Sequence, residues 1–225
     1  MARSDDMRSL RFATRTVADD RALVLAEARA AEVDAVVEQG ADIVVLPDAD
    51  AVAAVRARHP ATVIGASVTT PEAAERACAS GAELLADAGP GVAEVAASRR
   101  VGLLRRYPWA PGRDPGGRVR QLAELGVPEA ATLIEPITED LPLLLHHVDE
   151  LARIALPLLL GLDGVRAGAA TSSEPEAAAA AIAIAAAAGV RVVRTRHVLA
   201  ARRVVEMTAS IVGTRPPARA LRALA

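Results

Sequence analysis

Short apolar runs alternate with stretches rich in alanine, glutamate and arginine along almost the whole chain, and this alternation constrains the fold most strongly. The apolar runs carry few polar residues on either face, which is typical of strands in a parallel sheet covered on both sides. We predict strands at residues 10–14, 41–46, 61–67, 82–87, 101–106, 131–136, 156–163 and 190–196. We predict helices at residues 21–38, 71–80, 118–125, 139–154, 175–188 and 199–212, most of them ended by a glycine.

Eight strand–helix units predict an α/β fold of the compact (β/α)8 TIM-barrel type, with short βα loops. A doubly wound open sheet is the alternative, because one or two strands are easily miscounted from a sequence. The chain has 225 residues, of which 52% are hydrophobic, and this suits one barrel domain over residues 1–225. Within it, residues 108–117 are predicted to form a mobile loop after the fifth strand, and residues 214–225 a poorly ordered tail.

The composition excludes several classes of function. The formal net charge is −2, and only Phe12, Tyr107 and Trp109 are aromatic. The chain therefore lacks the basic surface and the stacking residues of a nucleic-acid-binding protein. No stretch of about 20 residues is apolar throughout, and the N-terminal segment lacks the apolar core of a signal peptide. We therefore expect a cytoplasmic protein with no nucleic-acid or membrane partner.

The chain contains no lysine and no asparagine. A Schiff base on a lysine, or a role for an asparagine amide, is excluded on that ground. The single cysteine, Cys78, lies in a predicted helix, and we interpret it as a small apolar residue rather than a nucleophile. His146 and His147 are adjacent and point in different directions on a helix, so we predict no metal site there or elsewhere.

The functional residues of a TIM barrel lie at the carboxyl ends of its strands. The predicted ends are Thr14–Arg15, Pro47–Asp48, Ser67–Thr70, Asp87–Gly89, Arg105–Tyr107, Glu135–Thr138, Asp163–Arg166 and Arg194–His197. Arg194 and Arg196 share one face of the last strand, because side chains alternate, and their guanidinium groups could bind a phosphate or a carboxylate. Salt bridges at the surface are the alternative role for this pair. His197 is predicted to begin the last helix rather than to act in catalysis.

Acidic residues stand at three other strand ends. Asp87 could accept hydrogen bonds from a ring nitrogen or amino group of a ligand, or it could cap the following helix. Glu135 could bind the edge of an amino-pyrimidine with both oxygens, or it could form a salt bridge with a neighbouring arginine. Asp163, in the segment LGLDG, is predicted to serve in a turn. The residues alone leave the alternatives for Asp87 and Glu135 open.

The second half of the chain resembles dihydropteroate synthase, the pterin-binding barrel family of folate biosynthesis. The resemblance rests on residues 121–164 and 174–198, and the second of these ends in a strand similar to the family's closing Arg-Val-His-Asp-Val. The segments EQGADIVVL and ASGAELLAD are similar to the family's second and fourth strands. The resemblance covers most of residues 20–212 and implies the TIM-barrel fold.

The resemblance also implies a site with two sides. The pterin side is assigned to Asp87, Glu135, Ser67 and Arg166. The anion or phosphate side, which would hold the leaving pyrophosphate, is assigned to Arg194 and Arg196. Mg²⁺ would take part only if the synthase reaction is retained, and no catalytic residue is assigned. Because the family dimerises through its late helices, we expect a homodimer through residues 139–154, 174–188 and 199–212.

Departures from the family's pattern predict a short member with a degenerate site. The family's seventh-strand lysine has only Arg166 as a counterpart, one position off, and Ser67 stands near the third-strand aspartate. Losing one buried, hydrogen-bonded charge costs about 2–5 kcal/mol, so several losses predict weak or no transferase activity. Such a pseudoenzyme could still bind a pterin or a phosphorylated ligand. The alternatives are an active synthase or related pterin-dependent transferase with a rebuilt site, and a phosphate-binding barrel of a different family.

Overall fold

The computed structural model describes residues 10–13, 15–17, 20–86, 89–112, 122–153, 156–162, 166–167, 170–171 and 174–216. The strands in this part of the chain are β1 Leu10–Phe12, β2 Arg15–Val17, β3 Leu23–Glu27, β4 Ile43–Leu46, β5 Val63–Ser67, β6 Leu84–Ala86, β7 Gly102–Pro108, β8 Thr132–Ile137, β9 Leu159–Gly161, β10 Arg166–Ala167, β11 Ala170–Thr171 and β12 Val192–Arg194. The principal helices are α1 Val33–Glu38, α2 Val52–Arg58, α3 Pro71–Ala79, α4 Val92–Arg99, α5 Leu141–His146, α6 Val148–Leu151, α7 Pro175–Ala188 and α8 Val198–Val212.

Eight of these strands form a barrel in which every hydrogen-bonded pair is parallel. Their order around the sheet is β8-β7-β6-β5-β4-β3-β12-β9. The two ends of this order meet, because Ile134 on β8 forms a parallel bridge with Leu158, and its N–H donates to the carbonyl oxygen of Pro157 at 3.1 Å. The predicted α/β barrel is therefore confirmed, and the open doubly wound sheet is wrong.

The prediction for the first barrel strand is wrong, whereas each of the other seven predicted strands overlaps a barrel strand; β7 and β8 run past the predicted bounds, to Pro108 and Ile137. Residues 10–12 pair antiparallel with β2, and β3 lies inside the segment predicted as helix 21–38. Asp42 explains part of this difference. Its carboxylate accepts hydrogen bonds from the Arg21 guanidinium at 2.7 and 2.8 Å and from the N–H of Val24 at 2.9 Å, which fixes the start of β3. Pairing with β4 and β12 then outweighs the local helix preference.

The ion pair between Arg21 and Asp42 is itself mostly buried, since the Arg21 side chain is 6% exposed. Burial alone would lower the pKa of Arg21, but the hydrogen bond and the charge of Asp42 raise it above the ordinary arginine value. Arg202 on α8 also contacts Asp42, at 3.1 Å, so the last helix is tied to the start of the barrel.

The hairpin of β1 and β2 closes the amino-terminal end of the barrel. Phe12 is fully buried and packs with the inward-facing residues of the barrel strands. Gly102 gives the ring its space, because a Cβ there would lie 2.7 Å from Cδ1 of Phe12. Arg15 fastens the hairpin from outside through Glu83, at 3.2 Å, and through two backbone carbonyl groups.

The core has two parts, one inside the barrel and one between the barrel and its helices. The inner part consists of apolar residues at alternate positions of the strands, as the strand period requires. The outer part joins the remaining strand positions to the buried faces of the helices. The loops after β4 and β5 are short, as predicted, whereas the connection after β9 carries the β10–β11 hairpin.

Two further predictions, for helix 139–154 and loop 108–117, can be compared with the structure. The predicted helix 139–154 is divided into α5 and α6 at His147, whose backbone leaves the helical conformation. Of the predicted loop 108–117, residues 113–117 lie outside the described residues, as does most of the predicted tail. Within the described part of the chain, no helix combines the length and the apolar character needed to span a bilayer.

Candidate functional site

Four charged side chains meet at the carboxyl end of the barrel, and we call them the mouth quartet. They are Glu27 on β3, Arg106 on β7, Glu135 on β8 and Arg194 on β12. Each stands two residues beyond a residue of the inner core, so the strand period places it on the same inward face. The preceding inward residues are Leu25, Leu104, Leu133 and Val192. The inner face of these strands therefore changes from apolar to charged where the strands end.

Glu135 is the most deeply buried member of the mouth quartet, with a side chain only 3% exposed. Its Oε1 accepts hydrogen bonds from Nε of Arg194 at 3.1 Å and from Nη2 of Arg194 at 2.7 Å. Its Oε2 accepts a hydrogen bond from Nε of Arg106 at 2.8 Å. Both oxygens are thus held by guanidinium groups, which is the salt-bridge arrangement that the sequence left open for this residue.

Glu27 completes the mouth quartet from the solvent side. Its Oε1 lies 2.8 Å from Nη2 of Arg106 and 3.3 Å from Nη1 of Arg194, and its side chain is 42% exposed. The two arginines therefore share both carboxylates, and within the mouth quartet two positive charges face two negative charges. Charge-assisted hydrogen bonds of this kind are stronger than neutral ones, so the four side chains hold one another in place.

Gly161 on β9 provides the space that the mouth quartet occupies. A Cβ at this position would overlap Oε1 of Glu135 and would lie 2.5 Å from Nη2 of Arg194. A side chain at residue 161 is therefore incompatible with the observed ion pair. The glycine is needed here because two large charged groups approach the backbone closely, and not because of its backbone angles.

The structure brings together Glu135 and Arg194, which the resemblance assigns to opposite sides of the site. Arg196 lies two residues after Arg194, beyond the end of β12, and its side chain is exposed. Ser67 is the last residue of β5, is half-buried, and pairs in register with Ala86 on β6.

Two other predicted site residues lie elsewhere or are not described. The backbone of Arg166 belongs to the β10–β11 hairpin, outside the eight-stranded sheet. Asp87 lies outside the described residues, as does Asp163. Six assigned ligand roles stay predictions: those of Ser67, Asp87, Glu135, Arg166, Arg194 and Arg196.

Sequence reasoning missed two members of the mouth quartet, Glu27 and Arg106. Glu27 fell inside a predicted helix, so it was not recognised as a strand end. Arg106 stood at a predicted strand end, but it received no role. A usable signal was present, because Arg106 follows Leu104 by two positions in a buried strand and must point inward with it. A charged group in that direction requires a partner of opposite charge nearby.

The remaining titratable candidates have structural roles or low reactivity. His197 immediately precedes α8, as predicted, and its N–H donates to Oγ1 of Thr195 at 3.1 Å. Burial raises the pKa of the Cys78 thiol to about 11, which supports its interpretation as an unreactive residue. Across the described residues, no three His, Cys, Asp or Glu side chains are grouped so that they could hold a metal ion.

Comparisons with known proteins agree with this architecture. No family model matches the chain. The chain is 33% identical over 192 residues to a Mycobacterium leprae protein named inactive dihydropteroate synthase 2; the match covers 68% of this chain and 66% of that protein. The chain therefore spans just under two thirds of the length of this curated relative.

Solved structures cover more of the chain. The structure of Mycobacterium tuberculosis Rv1207 is 33% identical, covers 93% of this chain and 99% of its own, and has a TM-score of 0.75. The Yersinia pestis dihydropteroate synthase bound to a pterine-sulfa conjugate is 15% identical, covers 91% of this chain and 99% of its own, and has a TM-score of 0.79. That second likeness shows the fold, and the relatives at 33% identity show the family. The closed barrel and these relatives together place the chain in the dihydropteroate synthase family.

Proposed function

We propose that this chain keeps the barrel of its family but does not catalyse the synthase reaction, which joins a pterin pyrophosphate to p-aminobenzoate. The observation that carries the proposal is the engagement of both oxygens of Glu135 by Arg106 and Arg194. The carboxylate could receive the amino-pyrimidine edge of a pterin only by breaking buried ion pairs, and breaking such a pair typically costs about 3–5 kcal/mol. The same contacts engage Arg194, the residue expected on the pyrophosphate side.

Two further observations support the proposal. The chain contains no lysine and no asparagine, so neither the ammonium nor the amide groups of the family's site can be supplied. The Mycobacterium leprae relative is named as an inactive synthase. The expectation of a degenerate site, which followed from departures from the family's pattern, agrees with the name of this relative.

Mg²⁺ does not fit the groups present at the mouth. A magnesium site uses carboxylate and other oxygen ligands together with bound water. The carboxylates of the mouth quartet are Glu27 and Glu135, and both face guanidinium groups that would repel a cation. The mouth quartet therefore offers no magnesium site.

A steady-state assay with the pterin pyrophosphate and p-aminobenzoate tests the proposal. We expect turnover below about 0.01 s⁻¹, roughly a thousandth of the rate of a typical enzyme. A synthase assayed in parallel confirms that the substrates are competent, and circular dichroism confirms that this chain is folded. Turnover above that limit would overturn the proposal and would favour an active transferase with a rebuilt site.

We further propose that two copies of the chain associate through the late helices. Helices α7 and α8 pack against each other and leave apolar side chains exposed on their outer surface. Leu199, Met207 and Ile211 share one stripe of α8, at spacings of eight and four residues, and Ile211 is 77% exposed. Ile184 on α7 is 50% exposed. Exposed apolar patches of this kind are typical of protein interfaces.

Light scattering at micromolar concentration tests this association. The chain is expected to have twice the mass of one copy, and the double variant Met207→Glu/Ile211→Glu is expected to have the mass of one copy. The matched control is Leu125→Glu/Ile137→Glu, which places two charges at exposed apolar residues that belong to neither α7 nor α8. A single-copy mass for the unmodified chain contradicts the proposal, as does loss of the dimer in the control.

Two sequence predictions are carried forward as proposals. We propose that residues 1–225 form one barrel domain, as the length and composition suggest. We also propose a cytoplasmic location. Both proposals are based on the sequence alone.

A further inference from the structure

The two carboxylates of the mouth quartet are held very differently. Glu135 has a side chain 3% exposed and receives hydrogen bonds on both oxygens. Glu27 has a side chain 42% exposed, and its described ion pairs all use one oxygen, Oε1. Exposed ion pairs contribute little and are weakened by salt, whereas buried ones are costly to break. Glu27 is therefore the member that an external group could replace.

The donors that meet Glu27 have the arrangement of an oxyanion site. Nη2 of Arg106 and Nη1 of Arg194 converge on the same oxygen, at 2.8 and 3.3 Å. The Nε atoms of both arginines are turned instead to Glu135, which fixes the two guanidinium planes. Planar guanidinium groups held in this way are well suited to carboxylate and phosphate oxygens.

We propose that Glu27 is a tethered carboxylate that occupies an oxyanion site between Arg106 and Arg194, and that a small carboxylate or phosphate binds by displacing it. The inference rests on the proposed function in one respect, since it treats the barrel mouth as a binding surface rather than a reaction centre. Glu27 belongs to the same chain and is always close to the arginines, so it competes with a free anion at a high effective concentration. Glu135 remains in place and holds the arginines for the incoming group.

This competition predicts that removing the charge of Glu27 strengthens anion binding. The variant Glu27→Gln keeps the length of the side chain and lacks the negative charge. We expect it to bind inorganic phosphate or acetate about tenfold more tightly than the unmodified chain, because an exposed ion pair is worth a several-fold change in equilibrium and Glu27 makes two. Glu27→Asp keeps the charge but moves it away from the arginines by the length of one methylene group. We therefore expect an intermediate gain in anion affinity.

Isothermal titration calorimetry at fixed, low ionic strength measures the affinities. Phosphate and acetate are titrated separately. A gain in affinity for phosphate alone supports phosphorylated ligands, and a gain for acetate alone supports carboxylates. A gain for both anions supports either class. The matched control is Glu38→Gln, which removes the same charge from an exposed glutamate at the end of α1. Circular dichroism and urea unfolding confirm that each variant is folded.

The proposal is overturned if Glu27→Gln binds neither anion more tightly than the unmodified chain. It is also overturned if Glu38→Gln shows the same gain, because the gain would then follow from net charge. The double variant Glu27→Gln/Arg106→Lys keeps the positive charge but loses the paired guanidinium donors, and it is expected to lose the gain. These affinities are independent of turnover, so failure of this inference and failure of the proposed function are distinguished by separate assays.

Discussion

Replacing Glu135 by alanine is expected to lower the free energy of unfolding by about 3–5 kcal/mol. The substitution removes the carboxylate that binds Arg106 and Arg194 at a position where its own side chain is only 3% exposed. The two guanidinium groups then lose their buried partner. A loss of this size is a large part of the roughly 5–15 kcal/mol that stabilises a typical protein. Urea unfolding followed by circular dichroism measures it as a lower midpoint.

The matched control for this variant is Glu27→Ala, which removes a carboxylate from the same two arginines. Because the Glu27 side chain is 42% exposed, the expected loss is below about 1 kcal/mol. The difference between the two variants is the informative quantity, since both change the net charge of the chain by the same amount. Equal losses would contradict the assignment of Glu135 as the buried centre of the mouth quartet.

Replacing Phe12 by alanine is expected to lower the free energy of unfolding by about 3–5 kcal/mol. The ring is fully buried among the inward-facing residues of the barrel, so its removal leaves a cavity at the amino-terminal end. The β1–β2 hairpin also loses its main apolar anchor. We therefore expect faster tryptic cleavage after Arg15 in addition to a lower unfolding midpoint.

Two variants control for this effect. Phe12→Leu keeps most of the buried apolar volume and is expected to cost less than about 1.5 kcal/mol. Arg11→Ala changes an exposed residue of the same hairpin and is expected to change the stability by less than about 0.5 kcal/mol. If Phe12→Ala unfolds at the same urea concentration as Arg11→Ala, the hairpin does not anchor the barrel through this ring.

Most of the barrel could be predicted from local patterns, and the exception is instructive. A strand buried on both faces must be mostly apolar, and the seven predicted segments that overlap barrel strands show this clearly. In the segment Leu23–Glu27, alanine and glutamate follow the apolar residues and lead directly into helix-forming sequence with no turn signal. The strand forms there because β4 and β12 supply its hydrogen-bond partners and Asp42 fixes its start. These partners are distant in the sequence, so a local pattern cannot reveal them.

In the candidate site, too, some features follow from the local sequence and others depend on contacts between distant residues. The residue types at the strand ends and the missing lysine and asparagine could be read directly, and their departures from the pattern of the dihydropteroate synthase family predicted a degenerate site. The pairing of Glu135 with Arg194 depends on β8 and β12 lying on either side of β9, where Gly161 leaves the space for both side chains. The sequence left both a ligand role and a salt bridge open for Glu135, and the ion pairs themselves are visible only from the positions of three separate strands.

By itself, the sequence determined the class of fold and the chemistry that this chain lacks. Both depend on residue type and spacing, which are properties of the chain before it folds. Only the tertiary structure decided which charged groups face one another in the barrel mouth. Ion pairing depends on distances of a few ångströms between residues that are far apart along the chain, and those distances exist only once the barrel has closed.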